Sequence, residues 1–433
     1  MLVGRRRLDS IHGGTLRSVL ILVENLPVPF DRRVWQEACA LRDAGYVVSV
    51  ICPTGKGYES RFENLEGVHV YRYKLPMEAA GAKGYLIEYG VALAKTFMLC
   101  CRVWWERGLD VIHACNPPDL LFLIGAFFKL FGKKFVFDHH DLSPELYEAK
   151  FGKRGFFHRL LLAMERWTFR TADVSIATNE SYRQIAIDRG RMPPERVFIV
   201  RSGPSLERLQ ISPPERELKC GRRFLVGYVG VMGQQEGIDD LLQAVRHIVH
   251  DMGRTDIHFG LVGGGTSLAQ LRELAGQLGV SAYVTFTGRV PDEEMLAMLN
   301  TAEVCVNPDK PGPMNDLSTM NKIMEYMALG KPIVQFDLKE GRFSAQHASL
   351  YARCGDIRDF ARKIVELLDD PARREMMGRF GRQRVLAQLQ WRTQVPQLLE
   401  AYAVLWPLPV PAPHPVDESV PEDVPSLAAR RRA

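Results

Sequence analysis

Short apolar runs alternate with polar turns and with stretches whose apolar residues recur at helical spacing. Residues 18–24, SVLILVE, form a continuous β-branched run, which is typical of a parallel strand buried on both faces. A helix is expected over residues 33–44, because Val34 and Leu41 share one face, and Gly45 marks its end. Further strands are expected at VVSVICP, VHVYRYK, DVIHAC, KFVFDHH, DVSIATN and RVFIVRS. This alternation predicts a parallel α/β sheet.

The alternation stops once and then restarts, which predicts two domains. Residues 204–222 are polar and contain a proline pair, and after them come apolar runs at FLVGYVG, IHFGLVG, VTFTG, AEVCVNP and PIVQFD. We therefore expect two Rossmann-like domains, at 16–203 and 223–385. A further helical segment is expected at 386–406. The tail at 407–433 is rich in proline and charge and poor in aromatic residues, which predicts disorder.

Composition and charge narrow the class of protein. Of the 433 residues 46% are hydrophobic and 25% are charged, as in a globular protein with a sizeable core. The formal net charge of +5 is concentrated in the first half of the chain. The eight cysteines show no CxxC pair, which favours reduced thiols and an intracellular protein. No apolar run reaches the roughly 18 residues that a membrane span requires.

Two glycine turns follow expected strands of the second domain. Gly230 and Gly233 lie in GYVGVMGQQEG, and Gly263 lies in LVGGGTS. Ligands of open parallel sheets bind at the carboxyl ends of the strands, where a glycine lets the backbone approach a phosphate and a helix N-terminus attracts it. No acidic residue follows an intact GxGxxG by about 20 positions, which favours a mononucleotide over NAD. The alternative is that these glycines serve turn geometry alone.

The segment MNDLSTMNKIMEYMALGKPIVQFD predicts a helix that could bind a nucleotide. The helix is expected to begin near Met320, with Ser318 or Thr319 as its cap. Lys322 and Glu325 are three residues apart and project from one side near the positive end of the helix dipole. The lysine suits a diphosphate, and the carboxylate suits the vicinal hydroxyls of a ribose. The alternative is a surface salt bridge between the two.

NKIMEYMALGKPIV resembles the donor-binding helix of the retaining glycosyltransferases of family 4, which have the GT-B fold. Three more segments follow the order of that family: FDHHDLSPE, GYVGVMGQQEGIDDLLQA and GLVGGGTSLAQLRELAGQLGVSAYVTFTGRVPDEEMLAML. ENLPVPFDRRVWQEA is similar to bacterial exopolysaccharide and O-antigen transferases, and the resemblance covers about residues 18–405. It implies sheets that face each other across a cleft and C-terminal helices that cross back to the first domain. It also implies hexosyl transfer from a nucleotide diphosphate sugar, with no cofactor and no metal.

The resemblance also assigns the donor-binding residues. In the family an E-x7-E pair binds the donor; its second carboxylate, which holds the ribose, corresponds to Glu325. The first acid would fall at Leu317, where either the neighbouring Asp316 or backbone amides are expected to take its place. The family's usual lysine in the glycine turn corresponds to Glu236, so Lys322 and an arginine of TGRVP are expected to carry the diphosphate. The expected donor-binding residues are Gly230, Gly233, Gly263, Arg289, Asp316, Lys322 and Glu325.

FDHHDLSPE ends an expected strand with four polar residues. The resemblance puts a histidine here, close to the anomeric carbon of the sugar; we assign it to His140 rather than His139, with Asp141 beside it as the second catalytic candidate. Asp138 completes the group, and histidines and aspartates also suit a metal. Adjacent residues of a strand point to opposite faces, which disfavours that alternative. Core or capping roles are the remaining alternative.

Two features of the first domain bear on the acceptor. Asp31, Arg32 and Arg33 follow the first strand and would either face an acceptor's diphosphate or cap and solvate a helix start. Residues 150–170 and the segment FFKLFGKK interleave basic and aromatic residues, as helices on anionic membranes do. A solvated helix is the alternative, and no nucleic-acid-binding motif accompanies the charge. We therefore expect a lipid-linked or polysaccharide precursor as acceptor and no nucleic acid.

The sequence thus predicts a retaining glycosyltransferase that moves a sugar from a nucleotide diphosphate sugar to an acceptor hydroxyl. It is expected in the cytoplasm, peripheral on the inner face of the cell membrane. Two alternatives remain open: a nucleotide-sugar 2-epimerase-like enzyme, which would need no acceptor, and a non-catalytic GT-B scaffold, which would bind nucleotide without turnover.

Overall fold

The computed structural model of this protein describes residues 16–75 and 82–406. The tail at 407–433, for which the sequence predicts disorder, lies outside these residues. In the part that is described, no helix combines the length and the apolar character that crossing a bilayer requires.

The first sheet has eight strands in the order β3-β4-β2-β1-β5-β6-β7-β8. Its strands are β1 (Ser18–Leu22), β2 (Val47–Pro53), β3 (Phe62–Leu65), β4 (Val68–Tyr73), β5 (Val111–Cys115), β6 (Lys134–His139), β7 (Val174–Ala177) and β8 (Val197–Ile199). The helices among them are α1 (Arg32–Asp43), α2 (Ala82–Arg107), α3 (Phe122–Lys129), α4 (Ser143–Phe151), α5 (Phe156–Thr171) and α6 (Glu180–Asp188). All pairs are parallel except β3 with β4, an edge hairpin that the sequence pattern did not predict.

The second sheet has six strands, all parallel, in the order β11-β10-β9-β12-β13-β14. Its strands are β9 (Phe224–Val229), β10 (Ile257–Val262), β11 (Val284–Gly288), β12 (Val304–Asn307), β13 (Ile333–Phe336) and β14 (Ser349–Ala352). The helices of this half are α7 (Ile238–Arg246), α8 (Leu268–Gln277), α9 (Asp292–Thr301), α10 (Pro313–Leu317), α11 (Asn321–Ala328), α12 (Lys339–Ala345), α13 (Ile357–Asp369) and α14 (Pro371–Arg384). A π-helical segment, Val385–Leu389, is followed by α15 (Trp391–Ala403), the last helix of the described residues.

Strand β1 illustrates why the apolar runs are continuous. Val19 and Ile21 pack into one hydrophobic cluster, while Leu20 and Leu22 pack into another on the opposite face of the sheet. Every residue of the strand is buried. Helices cover both faces, so neither set of alternate positions can be polar.

Helix α15 crosses back to the first domain, as the resemblance implied. Leu398, Ala401 and Tyr402 are buried in the same hydrophobic cluster as Val19 and Ile21 of β1. The C-terminal helix therefore completes the core of the domain that the N-terminal half of the chain builds. Each domain is a parallel or mostly parallel sheet between helical layers, and together they form the GT-B architecture.

Candidate functional site

Loops at the carboxyl ends of both sheets contact each other. Arg32, at the start of α1, reaches Asp292 at the start of α9, with Nη2 to Oδ1 at 2.8 Å. Elsewhere along the boundary, the Asn179 side-chain amide after β7 donates to the Leu317 carbonyl at 2.9 Å. The order of the strands reverses between β1 and β5 in one sheet and between β9 and β12 in the other. Ligand crevices open at such reversals, so both domains direct their crevices towards the shared boundary.

Lys322 lies at the reversal point of the second sheet and holds two carboxylates. Its Nζ is 2.8 Å from Glu236, in the loop after β9, and 2.7 Å from Asp309, in the loop after β12. Burial alone would lower the pKa of this lysine, but Asp309 and its other neighbours hold it well above the usual value. Burial also raises the pKa of Asp309 to about 6. Lys322 thus already has two anionic partners in the site where the sequence predicted a free phosphate-binding cation.

Glu325 lies one turn further along α11 and contacts arginines rather than Lys322. Arg208, from the segment between the domains, forms a short hydrogen bond to its carboxylate, and Arg32 Nη1 is 3.6 Å from it. Arg208 also reaches Asp292 at 3.1 Å. Burial raises the pKa of Glu325, although both arginines oppose the shift. The i,i+3 salt bridge considered from the sequence is therefore not formed.

The two predicted glycine turns pack on one another. A Cβ on Gly263 would lie 1.9 Å from the Gly230 carbonyl oxygen, and one on Gly265 would lie 2.5 Å from the Met232 carbonyl oxygen. Met232 N donates to the Gly264 carbonyl at 3.0 Å, which holds the turns together. The close contact between the two loops thus explains why the second turn contains glycines, in agreement with the alternative that they serve turn geometry. Gly233 is different, because the nearest atoms to its Cβ position belong to the flexible Gln235 side chain.

The start of α11 departs from the sequence prediction. The helix begins at Asn321 with Met320 as N-cap residue and without a side-chain cap. Thr319 instead accepts a hydrogen bond from Asn179 at 3.0 Å, and Ser318 pairs with the Tyr182 hydroxyl at 3.0 Å. The expected capping residues therefore join the two domains.

Two further predicted donor-binding residues lie nearby. Arg289 is exposed, packs beside Gly264, and its guanidinium lies 5.9 Å from the ring centre of Phe30 across the domain boundary. Asp316 has a structural role, since its carboxylate accepts the Lys339 backbone N–H at 2.8 Å at the start of α12.

His140 lies at the carboxyl end of β6, and buried groups hold it there. Its Nε2 forms a short contact with Asp138 and is 3.0 Å from Arg33 Nε. The Asn116 side-chain oxygen accepts the His140 backbone N–H at 2.7 Å and that of Asp141 at 3.3 Å. Burial raises the pKa of Asp141. The neighbouring His140 and Asp141 are thus fixed by a loop from the adjacent strand β5.

His139 points to the opposite face, as the alternation of strand residues predicted. Its ring lies among Phe137, Phe169 and Tyr182, with ring centres 5.0–5.3 Å away, and burial lowers its pKa to about 3. The DHHD segment does not form one cluster, and His139 is a core residue.

The sequence analysis missed a buried polar network beneath His140. Four side chains with metal-ligand atoms meet within 4.8 Å of one another: Glu37, His113, Cys115 and Asp138. Arg33 lies among them, with Nη2 2.7 Å from Asp138 and 3.1 Å from Glu37, so its guanidinium already supplies positive charge to both carboxylates. Burial alone would raise the pKa of Asp138, but Arg33 and His140 hold it well below its usual range. The histidine within the apolar run DVIHAC was the available sign of this network.

The three charged residues at the start of α1, Asp31, Arg32 and Arg33, have different roles. Arg33 is buried, so it does not face an acceptor's diphosphate. Asp31 is the N-cap of α1 and accepts the Val34 N–H at 3.1 Å. Arg32 alone of the three reaches the domain boundary, through Asp292 and Glu325.

Comparisons with known proteins agree with this architecture. Residues 31–203 match the family described as glycosyl transferase 4-like domain, and residues 223–370 match glycosyl transferases group 1. The sequence is 25% identical over 327 residues to 2-deoxystreptamine glucosyltransferase from Streptomyces kanamyceticus, covering 72% of this chain and 81% of that protein.

Solved structures show the same fold. The sucrose-phosphate synthase of Thermosynechococcus elongatus superposes with a TM-score of 0.71 at 19% identity, over 90% of this chain and 99% of that one. Anabaena HepE in complex with UDP and glucose superposes with a TM-score of 0.68 at 16% identity, over 90% and 100% of the two chains. Two facing Rossmann-like domains with a crossing C-terminal helix define the GT-B class. This chain belongs to the glycosyltransferases of that class, with a glycosyl transferase 4-like first domain and a group 1 second domain.

Proposed function

We propose that this glycosyltransferase moves a hexosyl group from a nucleotide diphosphate sugar to an acceptor hydroxyl and retains the anomeric configuration. The observation that carries the proposal is Glu325, a half-buried carboxylate on α11 at the boundary between the two crevices. A carboxylate in that position can accept hydrogen bonds from both hydroxyls of a ribose. His140 lies on the opposite domain at the end of β6, where it would contact the transferred sugar.

Departure of the nucleoside diphosphate is the step that needs help. Negative charge grows on the leaving oxygen in the transition state, and fixed positive groups and N–H dipoles lower that barrier. The candidates from the sequence analysis are Lys322, helix N-termini and Arg289. Because Lys322 is already paired with Glu236 and Asp309, Arg289 and the N-terminus of α11 remain. His140 is held by Asp138, Arg33 and Asn116, so its imidazole would meet the sugar with little loss of rotamer entropy. The complex of Anabaena HepE with UDP and glucose, a protein of the same fold, supports a nucleotide-sugar donor.

For the acceptor we propose a lipid-linked precursor at an anionic membrane surface. Helices α3 and α5 pack together and expose large apolar side chains: Phe127 38%, Leu130 81%, Phe131 50%, Phe156 75%, Phe157 53%, Leu160 43% and Trp167 53%. Lys153, Arg159 and Arg166 are exposed among them. Apolar side chains interleaved with basic ones suit the boundary between head groups and acyl chains. This surface supports a peripheral location on the inner face of the cell membrane.

Calorimetric titration of the purified protein with UDP, GDP and ADP tests the donor site. One nucleotide should bind clearly more tightly than the other two. Glu325→Ala should weaken it about 10- to 100-fold, the equivalent of one or two hydrogen bonds to a charged group. Glu273→Ala, an exposed acid on α8, is the matched control and should leave binding unchanged. A folded protein that binds none of the three nucleotides would overturn the proposal.

Measuring the consumption of the donor with and without an acceptor distinguishes a transferase from an epimerase-like enzyme and from a scaffold. Release of nucleoside diphosphate that depends on an added acceptor supports transfer. Consumption of the donor without acceptor would indicate the epimerase-like enzyme, and binding without any turnover would indicate a scaffold.

A further inference from the structure

A donor diphosphate brings at least two negative charges, and the cation expected to meet them is already paired. Lys322 is bound by Glu236 and Asp309 at 2.8 and 2.7 Å, and all three are shielded from solvent. Withdrawing it would leave the buried Asp309 and the half-buried Glu236 without a cation, which is strongly unfavourable. The glycine turn after β9 carries Glu236 and no arginine or lysine. The positive charge for the diphosphate must come from elsewhere.

Two arginines contact the carboxylate that is proposed for the ribose. Arg208 forms the short hydrogen bond with Glu325, and Arg32 lies 3.6 Å from the same oxygen atom. Both also reach Asp292, at 3.1 and 2.8 Å. The four side chains carry two positive and two negative charges, so the cluster is neutral without a ligand.

We propose that Arg208 and Arg32 bind the diphosphate of the donor and leave Glu325 free for the ribose hydroxyls. The inference rests on the proposed function, since it takes Glu325 as the ribose-binding residue. In any nucleotide the α-phosphate is attached to the 5′ carbon of the ribose. A guanidinium in contact with the ribose carboxylate therefore lies within one side-chain length of the phosphates. The planar guanidinium group of arginine also suits the oxygens of a diphosphate.

After the exchange both arginines keep an anionic partner, and the outer pair of the cluster is exposed. Glu325 gains two hydroxyl donors as it loses the arginines, and the arginines gain a dianion in place of one carboxylate. The Arg32 side chain is 52% exposed and Asp292 44%, so this outer pair is solvated and costs little to rearrange. Arg208 is 20% exposed and is the better shielded of the two cations.

The two arginines and the two acids of the cluster come from different parts of the chain, so a bound donor would contact both domains. Arg32 belongs to the first domain, and Arg208 belongs to the segment between the domains, while Glu325 and Asp292 belong to the second. A diphosphate held by Arg32 therefore contacts both domains. The donor would therefore hold the first domain, which carries His140, against the second.

The test compares a nucleoside diphosphate with the matching nucleoside. The diphosphate found in the calorimetric screen is titrated into wild type, Arg208→Ala, Arg32→Ala, Arg208→Lys and the double alanine variant. The matching nucleoside is titrated in parallel by saturation-transfer NMR. Arg379→Ala is the matched control, because that arginine is exposed on α14 and pairs only with Glu375 among the described residues. Circular dichroism confirms that each variant is folded.

The expected result separates phosphate contacts from indirect effects through Glu325. Each alanine variant should bind the diphosphate about 10- to 100-fold more weakly, the range for hydrogen bonds to charged groups, and Arg208→Lys should recover part of the loss. Nucleoside binding should change less than about twofold. Added salt should weaken diphosphate binding by wild type more than by the double variant.

Other outcomes overturn the inference. Unchanged or tighter binding of the diphosphate by the alanine variants would show that the arginines only occupy Glu325. An equal loss for diphosphate and nucleoside would show that they act through the ribose carboxylate. If wild type binds the diphosphate, either result refutes the inference and leaves the proposed function intact; if wild type binds no nucleotide, both fail. Arg32→Ala keeps the test decisive if Arg208→Ala does not fold, because Arg32 is largely exposed.

Discussion

At the scale of single residues, the two charged residues of α11 have different environments. Helical spacing predicted that Lys322 and Glu325 project from one side of the helix. Glu325 lies at the domain boundary, and Lys322 lies in the adjoining crevice of the second sheet. Their partners come from segments at least 13 positions away in the chain. No local pattern could pair them, because the partners are defined by which strand ends become neighbours.

Replacing Lys322 with methionine should destabilise the second domain. The buried Asp309 and the half-buried Glu236 would then lack a cation, and the free energy of unfolding should fall by about 3–5 kcal/mol. Urea denaturation followed by circular dichroism measures the change. The loss should be smaller at pH 5 than at pH 8, since burial already raises the pKa of Asp309 to about 6 and a protonated carboxyl needs no cation.

Lys339→Met is the control for this variant. Lys339 is exposed, and its replacement should change the free energy of unfolding by no more than about 0.5 kcal/mol. Equal stability of the two variants at pH 8 would contradict the assigned role of the buried ion pairs.

At the scale of elements, the C-terminal helix decides whether the first domain has a complete core. Leu398, Ala401 and Tyr402 of α15 fill the face of the first sheet that also packs on α1. The Tyr402 hydroxyl lies 2.8 Å from His113 Nδ1, and so reaches the buried network beneath His140. The segment that leads into α15 packs closely against Gly203. A Cβ at position 203 would lie 2.5 Å from the Leu389 carbonyl oxygen, so this position requires glycine.

Leu398→Ala should therefore unfold the first domain more easily. Removal of a fully buried leucine costs about 2–5 kcal/mol, depending on how far the site collapses. The midpoint of urea unfolding reports the effect. Leu386→Ala, in the preceding π-helical segment and 41% exposed, should cost less than about 1 kcal/mol. A similar shift for both variants would show that α15 is not part of the core.

At the scale of the whole molecule, each domain supplies part of the candidate site and the first one carries the exposed aromatic surface of α3 and α5. That surface should bind vesicles that contain phosphatidylglycerol and should not bind pure phosphatidylcholine vesicles in a flotation assay. The double substitution Phe156→Ser with Phe157→Ser should abolish binding, because these side chains are 75% and 53% exposed and supply apolar area.

Met376→Ser provides the control for vesicle binding. Met376 is 58% exposed on α14 of the second domain, and its replacement should leave flotation unchanged. Flotation of the phenylalanine variant at the level of wild type would refute the membrane surface.

The sequence by itself determined the two α/β domains, most strand positions and the helix that carries Lys322 and Glu325. These features depend on local periodicity, on glycine and proline, and on motifs that occupy one element. The antiparallel strand β3 was missed because four residues of mixed burial at an edge leave a weak pattern. Only the tertiary structure decided that Lys322 is paired with Glu236 and Asp309, that Arg208 and Arg32 contact Glu325, and that Arg33 is buried beneath His140. Charges at least 13 residues apart in the chain interact through the space between strand ends, and that geometry exists only once both domains have folded.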